Sequence, residues 1–314
     1  MKILVSDDIS EKGIDLLRRY YDVDVEMNMS EPQLIECIGQ YDGLVTRSMT
    51  KVTKGVIDAA SKLRVIGRAG VGVDNIDLVA ASEHGIIVLN TPESNTIAAA
   101  EHTMALLFSM IRHVPQAHNS IMAGEWNRSL FTGIQLYGKT IGIIGVGRIG
   151  SRISRYMKTM GMEVIGYDPY ISKEREKTLD IEMVDFDSLL RLADFITLHV
   201  PLTDETKYMI NEKQILKMKF GVYIVNCSRG AVVDIQALAN GIRSQRVAGA
   251  ALDVYPDEPL TQAGNPFLGM QNVVLTPHLG ASTVEAQIGV AIEAAKGVIA
   301  ALNGEFVKNA VNKV

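Results

Sequence analysis

The chain has 314 residues, 47% of them hydrophobic and 21% charged, and carries a net charge of -5 at pH 7. A chain this long is expected to divide into about two domains with separate cores, and this composition excludes long disordered segments. The acidic balance leaves no basic stripe for nucleic acid or an anionic membrane, so a small anionic ligand would have to be drawn in by local arginines.

In chain order, the opening Met1 to Asp8 meets acids too early for a secretory signal. The first hundred residues alternate strand-like runs, Lys2 to Val5, Val23 to Glu26, Leu44 to Thr46, Val65 to Ile66 and Ile86 to Leu89, with amphipathic stretches. That alternation predicts an α/β lobe with a parallel sheet, and Ser10 and Ser30 sit where helix N-caps belong, with Pro32 just inside the second helix. No glycine-rich turn follows the first strand, so this lobe is a poor dinucleotide site. From Thr96 to about Met122 the sequence reads as helix, with Pro115 expected to break or kink it. Its apolar stretch, Thr103 to Ile111, is too short to span a membrane and is bounded by His102 and Arg112. After the Trp126 to Tyr137 loop, six strand-like runs follow near 141–144, 163–167, 195–200, 222–226, 247–252 and 273–275. A long helical pattern then covers Thr283 to Leu302, and the tail at 309–312, with no strand set of its own, is expected to cross back and complete the first lobe. The two cysteines, Cys37 and Cys227, allow neither a disulfide framework nor a CxxC metal site; no metal is expected, and a reducing, cytoplasmic setting is.

The densest motif is the run Gly145-Val146-Gly147-Arg148-Ile149-Gly150 after an apolar strand, followed by a second strand that ends on Asp168. In such a strand, turn and helix the first glycine permits the turn, the second lets backbone approach a diphosphate, and the third lets helix and strand pack. Helix N–H groups and dipole then face the phosphates. A carboxylate at Asp168 accepts from ribose hydroxyls but repels a 2′-phosphate, which favours NAD over NADP; Lys173 and Arg175 are the nearest cations.

Ligands of open parallel sheets gather beyond the carboxyl ends of the strands, where His199, Arg229, Asp253 and His278 lie, with Glu258 five residues past Asp253. Moving a hydride from an alcohol also requires removing a proton from its oxygen, a task suited to histidine. A neighbouring carboxylate steadies the imidazolium, and an arginine fork holds a carboxylate. Taken singly, each residue reads equally well as a surface ion pair or a satisfied loop group; together, beside a cofactor motif, they point to a site. Arg47 and Arg68 follow strand-like runs of the first lobe and suit a phosphate, with ordinary solvated or ion-paired arginines as the alternative.

The glycine turn with Asp168, the segment Asn226-Cys227-Ser228-Arg229-Gly230, the run Asp253 through Pro259 and the run Pro277 through Thr283 together resemble the D-isomer-specific 2-hydroxyacid dehydrogenases. The resemblance covers essentially the whole chain. Val65 through Asp77 and Asn90-Thr91-Pro92 through Glu101 are most similar to the branch acting on D-3-phosphoglycerate. This resemblance implies an α/β fold of two doubly wound parallel-sheet domains. A Rossmann-type NAD domain, residues 96–283, would be inserted into a flavodoxin-like substrate domain, residues 1–95 plus 284–314. It implies that Arg229 binds the keto acid, His278 is the acid/base and Glu258 tunes it. The backbone around Val71 and Gly72 would receive the substrate carboxylate, and Asn95 would help hold the substrate. Arg148 and Ile149 would lie on the NAD diphosphate and Asp168 on the ribose, while His199, Pro201, Thr206, Cys227, Ser228, Asp253 and Gly280 would line the rest of the groove.

The activity implied is reversible oxidation of a D-2-hydroxy acid, phosphorylated if Arg47 and Arg68 serve a phosphate. The alternatives are a hydroxypyruvate or glyoxylate reductase on the same scaffold and an NADH-sensing binding protein resembling the transcriptional corepressors of this family. Domain closure is expected, since binding needs both lobes. The helix from Thr96 suggests a homodimer surface or, equally, burial within one subunit. Only one helix and a short tail follow His278, too little for a further regulatory core.

Overall fold

The computed structural model describes residues 1–314 and divides into two compact units, residues 1–98 with 281–314 and residues 99–280. Each is a parallel α/β sheet layered with helices, and no helix is long and apolar enough to cross a membrane.

The first unit contains β1 (Lys2–Val5), β2 (Asp22–Val25), β3 (Gly43–Thr46), β4 (Val65–Arg68) and β5 (Ile87–Leu89), in the order β2-β1-β3-β4-β5. All neighbours are parallel. The central strands bury both faces, which is why they read as short apolar runs, while the edge strand β2 alternates Asp and Val and is only partly buried. One face packs on the helix Val284–Leu302, whose Val290, Ala291, Ala294, Ala295 and Val298 are buried against Ile3, Val5, Val45, Val65 and Leu89. The alanines let this helix approach closely: a Cβ on Gly13 would sit 2.7 Å from Ala291, and one on Gly67 would sit 2.6 Å from Val298. The other face packs on Leu34, Ile38, Val56, Ile57 and Ala80. The carboxyl-terminal tail returns to the sheet edge, where Leu89 bridges Ala310 and Val311 N–H donates to Val88 O at 2.8 Å. This covers backbone groups that edge strand β5 would otherwise leave open.

The second unit contains β6 (Thr140–Ile144), β7 (Glu163–Tyr167), β8 (Glu182–Met183), β9 (Phe195–Leu198), β10 (Val222–Asn226), β11 (Val247–Leu252) and β12 (Val273–Leu275). The order is β12-β11-β10-β9-β6-β7-β8. The sheet therefore has seven strands where six were expected; β8 is two residues long and carries no alternation to read. The helical stretch after Thr96 is broken near Pro115, as expected. It forms two helices, Thr96–Ile111 and Val114–Met122, separated at His113, whose φ of 53° is left-handed. Pro115 lies in the first turn of the second helix, where its missing N–H costs nothing, so it starts a helix rather than kinking one. Ser10 occupies an N-cap position without a side-chain bond, whereas at Ser30 the Gln33 Oε1 accepts from both the Ser30 N–H and hydroxyl.

Candidate active site

Strand order locates the crevices. In the second unit the order reverses between β6 and β9, and in the first between β1 and β3, so ligand sites are expected beyond the carboxyl ends of those pairs.

At the β6/β9 reversal lies the glycine turn. Gly145 has φ of 90°, and a Cβ there would strike His199 O at 2.5 Å, so both conformation and space demand glycine. A Cβ on Gly150 would lie 2.1 Å from Gly145 O, which fixes the close contact of the turn with the helix Arg148–Thr159. Gly147, the N-cap of that helix, has open space around it. With Arg148 exposed beside it, this is the free backbone approach a diphosphate requires. Asp168 accepts from Val146 N–H through Oδ2 and from Tyr170 N–H through Oδ1, both at 3.0 Å, so the carboxylate is aimed at the same turn. The residues present thus fit a dinucleotide diphosphate and ribose. His199 follows β9 immediately; its Nε2 is 2.9 Å from Thr197 Oγ1, and burial pushes its pKa down to about 4, so the ring is neutral. Thr206 turns inward on its own loop, donating to Pro201 O at 2.7 Å. Burial raises the Cys227 thiol to about 12, which removes it from thiolate chemistry.

Arg229, Glu258 and His278 follow β10, β11 and β12, three adjacent strands. His278 Nδ1 lies 2.7 Å from Glu258 Oε2, while Glu258 Oε1 accepts from Tyr255 N–H at 3.0 Å. Burial works against the charged carboxyl, but His278 and the Tyr255 N–H outweigh it and hold Glu258 below the ordinary carboxylate range. The Arg229 loop is braced by Asn226, whose Nδ2 donates to Arg229 O and whose Oδ1 accepts from Ser228 N–H. Gly230 presses that loop onto the Glu258 segment, since a Cβ there would lie 1.8 Å from the Tyr255 carbonyl carbon. Arginine, carboxylate and imidazole therefore occupy one edge of one sheet.

Asp253 departs from the expectation that it lines the cofactor groove, because it is fully buried and both carboxylate oxygens are engaged inside the protein. Oδ1 accepts from Thr276 Oγ1 at 2.6 Å and Leu279 N–H at 2.7 Å and lies 3.1 Å from His102 Nε2; Oδ2 accepts from Gly280 N–H at 2.8 Å. Its influence runs through the His278 loop. His102 was not singled out from sequence as a site residue, although an ionisable ring beside the apolar run Thr103 to Ile111 is a readable signal.

In the first unit Thr46 pairs with Arg68 across β3 and β4, so Arg47 and Arg68 are neighbours at the carboxyl edge. Arg68 is the last residue of β4 rather than a residue after it, and its side chain folds back over Gly70, with Nη1 donating to Ala69 O at 3.4 Å. Arg47 donates from Nη1 to Asp8 O at 3.3 Å. Asn90 Nδ2 fixes Val71 O at 2.7 Å, just before Gly72, while Asn95 Oδ1 is buried with no hydrogen-bond partner. The residue that holds the Arg47 turn is buried Asp7, which accepts from Arg47 N–H at 2.5 Å, Thr46 Oγ1 at 3.1 Å and Thr50 Oγ1 at 2.7 Å. Asn75 Nδ2 closes the same turn by donating to Arg47 O and Thr50 O, both at 2.7 Å. Asp7 directly follows Ser6 at the end of β1, where the strand-end rule that located Arg229 would also have found it.

Residues 104–280 match the family described as D-isomer specific 2-hydroxyacid dehydrogenase, NAD binding domain. Two curated relatives, D-3-phosphoglycerate dehydrogenases from Synechocystis and Archaeoglobus fulgidus, are 47% and 48% identical over 99% of this chain. The chain spans only 56% and 59% of their lengths. Among solved structures, a Thermus thermophilus protein, TT0316, is 34% identical with a TM-score of 0.91, covering 99% of this chain and 100% of that one. A glyoxylate reductase from Paecilomyes thermophila is 30% identical with a TM-score of 0.91, covering 99% and 98% respectively.

Proposed function

The chain belongs to the D-isomer-specific 2-hydroxyacid dehydrogenases, and from that premise we propose that it oxidises D-3-phosphoglycerate to 3-phosphohydroxypyruvate with NAD. The observation that carries the catalytic part is the 2.7 Å contact between His278 Nδ1 and Glu258 Oε2 on the strand edge that also bears Arg229. When bound, NAD supplies the hydride acceptor for the substrate carbon. A carboxylate accepts only, so Glu258 fixes the proton on Nδ1 of neutral His278 and leaves Nε2 bare. Nε2 then takes the substrate hydroxyl proton, and the resulting imidazolium faces a carboxylate that stabilises it. In the reverse direction the same nitrogen returns the proton. Arg229 holds the substrate carboxylate through its planar fork and polarises the oxygen being deprotonated. The Gly145 to Gly150 turn carries the diphosphate and Asp168 the adenosine ribose, with the remaining groove residues beside them. Residues 99–280 serve the dinucleotide, and the unit of residues 1–98 and 281–314 serves the substrate, with Val71, Gly72 and Asn95 on the carboxylate side.

The phosphate assignment rests on the adjacent Arg47 and Arg68 and on the names of the curated relatives. The second reading, a glyoxylate reductase, is favoured by the near-complete mutual coverage with the Paecilomyes enzyme. Steady-state kinetics with phosphohydroxypyruvate, hydroxypyruvate and glyoxylate separate the two. Arg47→Ala is expected to raise KM for the phosphorylated acid about tenfold or more, the value of one lost charge-assisted contact, and to spare glyoxylate. Equal losses on both acids would remove phosphate from the assignment. Two unpaired cysteines suit a reducing cytoplasm. The exposed apolar side chains Ile121, Met122 and Trp126, which follow the long interlobe helix, support a homodimer. A monomer mass by light scattering would overturn that part.

A further inference from the structure

Beyond the three residues that handle the substrate, the network behind them points to a fourth. We propose that His102 is a positioning residue that sets the geometry of His278 by holding the Asp253 carboxylate; the inference rests on the acid/base reading of His278 above.

His278 has φ of 54°, a left-handed conformation that a β-carbon disfavours, so the surrounding structure must impose it. Asp253 does so from both ends. Its carbonyl accepts His278 N–H at 2.8 Å, and its carboxylate accepts the next two backbone N–H groups, Leu279 at 2.7 Å and Gly280 at 2.8 Å. Three consecutive backbone donors therefore reach one buried aspartate, the first of them shared with Thr276 O at 3.1 Å. A carboxylate with no exposed surface requires donors of its own, and it has two from side chains, Thr276 Oγ1 and His102 Nε2. His102 is the only ionisable one. Because Asp253 can only accept, His102 carries its proton on Nε2, whichever form the ring takes. His102 belongs to the helix Thr96–Ile111, so this contact ties a third element to the ends of β11 and β12. Without it, Oδ1 keeps Thr276 and Leu279 but loses its one ring N–H donor, and the turn that aims His278 Nδ1 at Glu258 is loosened.

The test compares His102→Leu, which has no donor, with His102→Gln, which restores an N–H at similar reach. In His102→Leu, kcat is expected to fall roughly 10- to 100-fold, the scale of a misplaced catalytic group, while KM for NADH changes less than about twofold. The NMR signal of the His278 Nδ1 proton, held by its Glu258 contact, is expected to exchange with water faster, because that contact weakens. His102→Gln should recover most of both. Unchanged kcat and exchange in His102→Leu, or equal damage from Gln and Leu, would overturn the proposal. If His102→Leu does not fold, Thr276→Val deletes the other side-chain donor to the same oxygen and should speed the exchange in the same way; no change would refute the network. The exchange measurement needs no turnover, so a wild-type protein inactive on every hydroxy acid would refute the enzymatic reading and leave the positioning result standing.

Discussion

Replacing Glu258 by Gln removes both the charge and the acceptor from the His278 pair. The glutamine Oε1 can still accept from Tyr255 N–H, so the segment stays anchored, while its Nε2 puts a donor against Nδ1 where the anion and acceptor had been. The two side chains are 50% and 36% exposed, so solvent screens the pair. Unit charges about 4 Å apart interact by ~1 kcal/mol in water and ~4 kcal/mol near a protein surface, and this exposure places the pair toward the lower figure. A loss of about 1–1.5 kcal/mol corresponds to about a tenfold change in rate. The imidazolium that forms as the hydroxyl proton is taken loses the carboxylate that stabilised it, so kcat for oxidation and for reduction should each fall about tenfold or more. Initial rates of NADH production and consumption measure the two directions. Rates equal to wild type in both would refute the role given to Glu258.

Further expectations concern the other parts of the site. His278→Ala should lower turnover by about 10²–10⁴-fold with NADH binding retained, as fluorescence titration would show. Asp7→Asn replaces a carboxylate oxygen with an N–H donor where only donors point in, so it should weaken binding of the phosphorylated acid and spare glyoxylate, read from KM for each. Gly150→Ala places a Cβ 2.1 Å from a backbone oxygen and should cost about 1–3 kcal/mol of stability, seen as a lower Tm, together with weaker NADH binding. Glu258 lies below its ordinary range in the folded state, so its contribution to stability is present above that range and is lost as pH falls through its folded value, visible as acid-side loss in melts of the wild type that Glu258→Gln lacks.

Sequence alone determined the features set by local rules. Apolar runs marked most of the strands, because parallel strands buried on both faces must be continuously hydrophobic; β2 showed instead as an Asp-Val alternation, and β8 was too short for any pattern. The three glycines were legible because each task, turn, approach and packing, excludes a side chain at a fixed spacing, and the structure assigns each glycine a matching contact or opening. Arg229, Glu258 and His278 could be picked out because the carboxyl edge of a parallel sheet collects ligands whatever the strand order. That they follow adjacent strands was decided by the order β12-β11-β10, which depends on crossovers between segments far apart in the chain. What the buried aspartates do there was beyond local reading for the same reason. Asp253 meets His102 across 151 positions and Asp7 meets Arg47 across 40, and a carboxylate's surroundings, which decide whether it binds a ligand or holds a loop, exist only once those distant segments have packed.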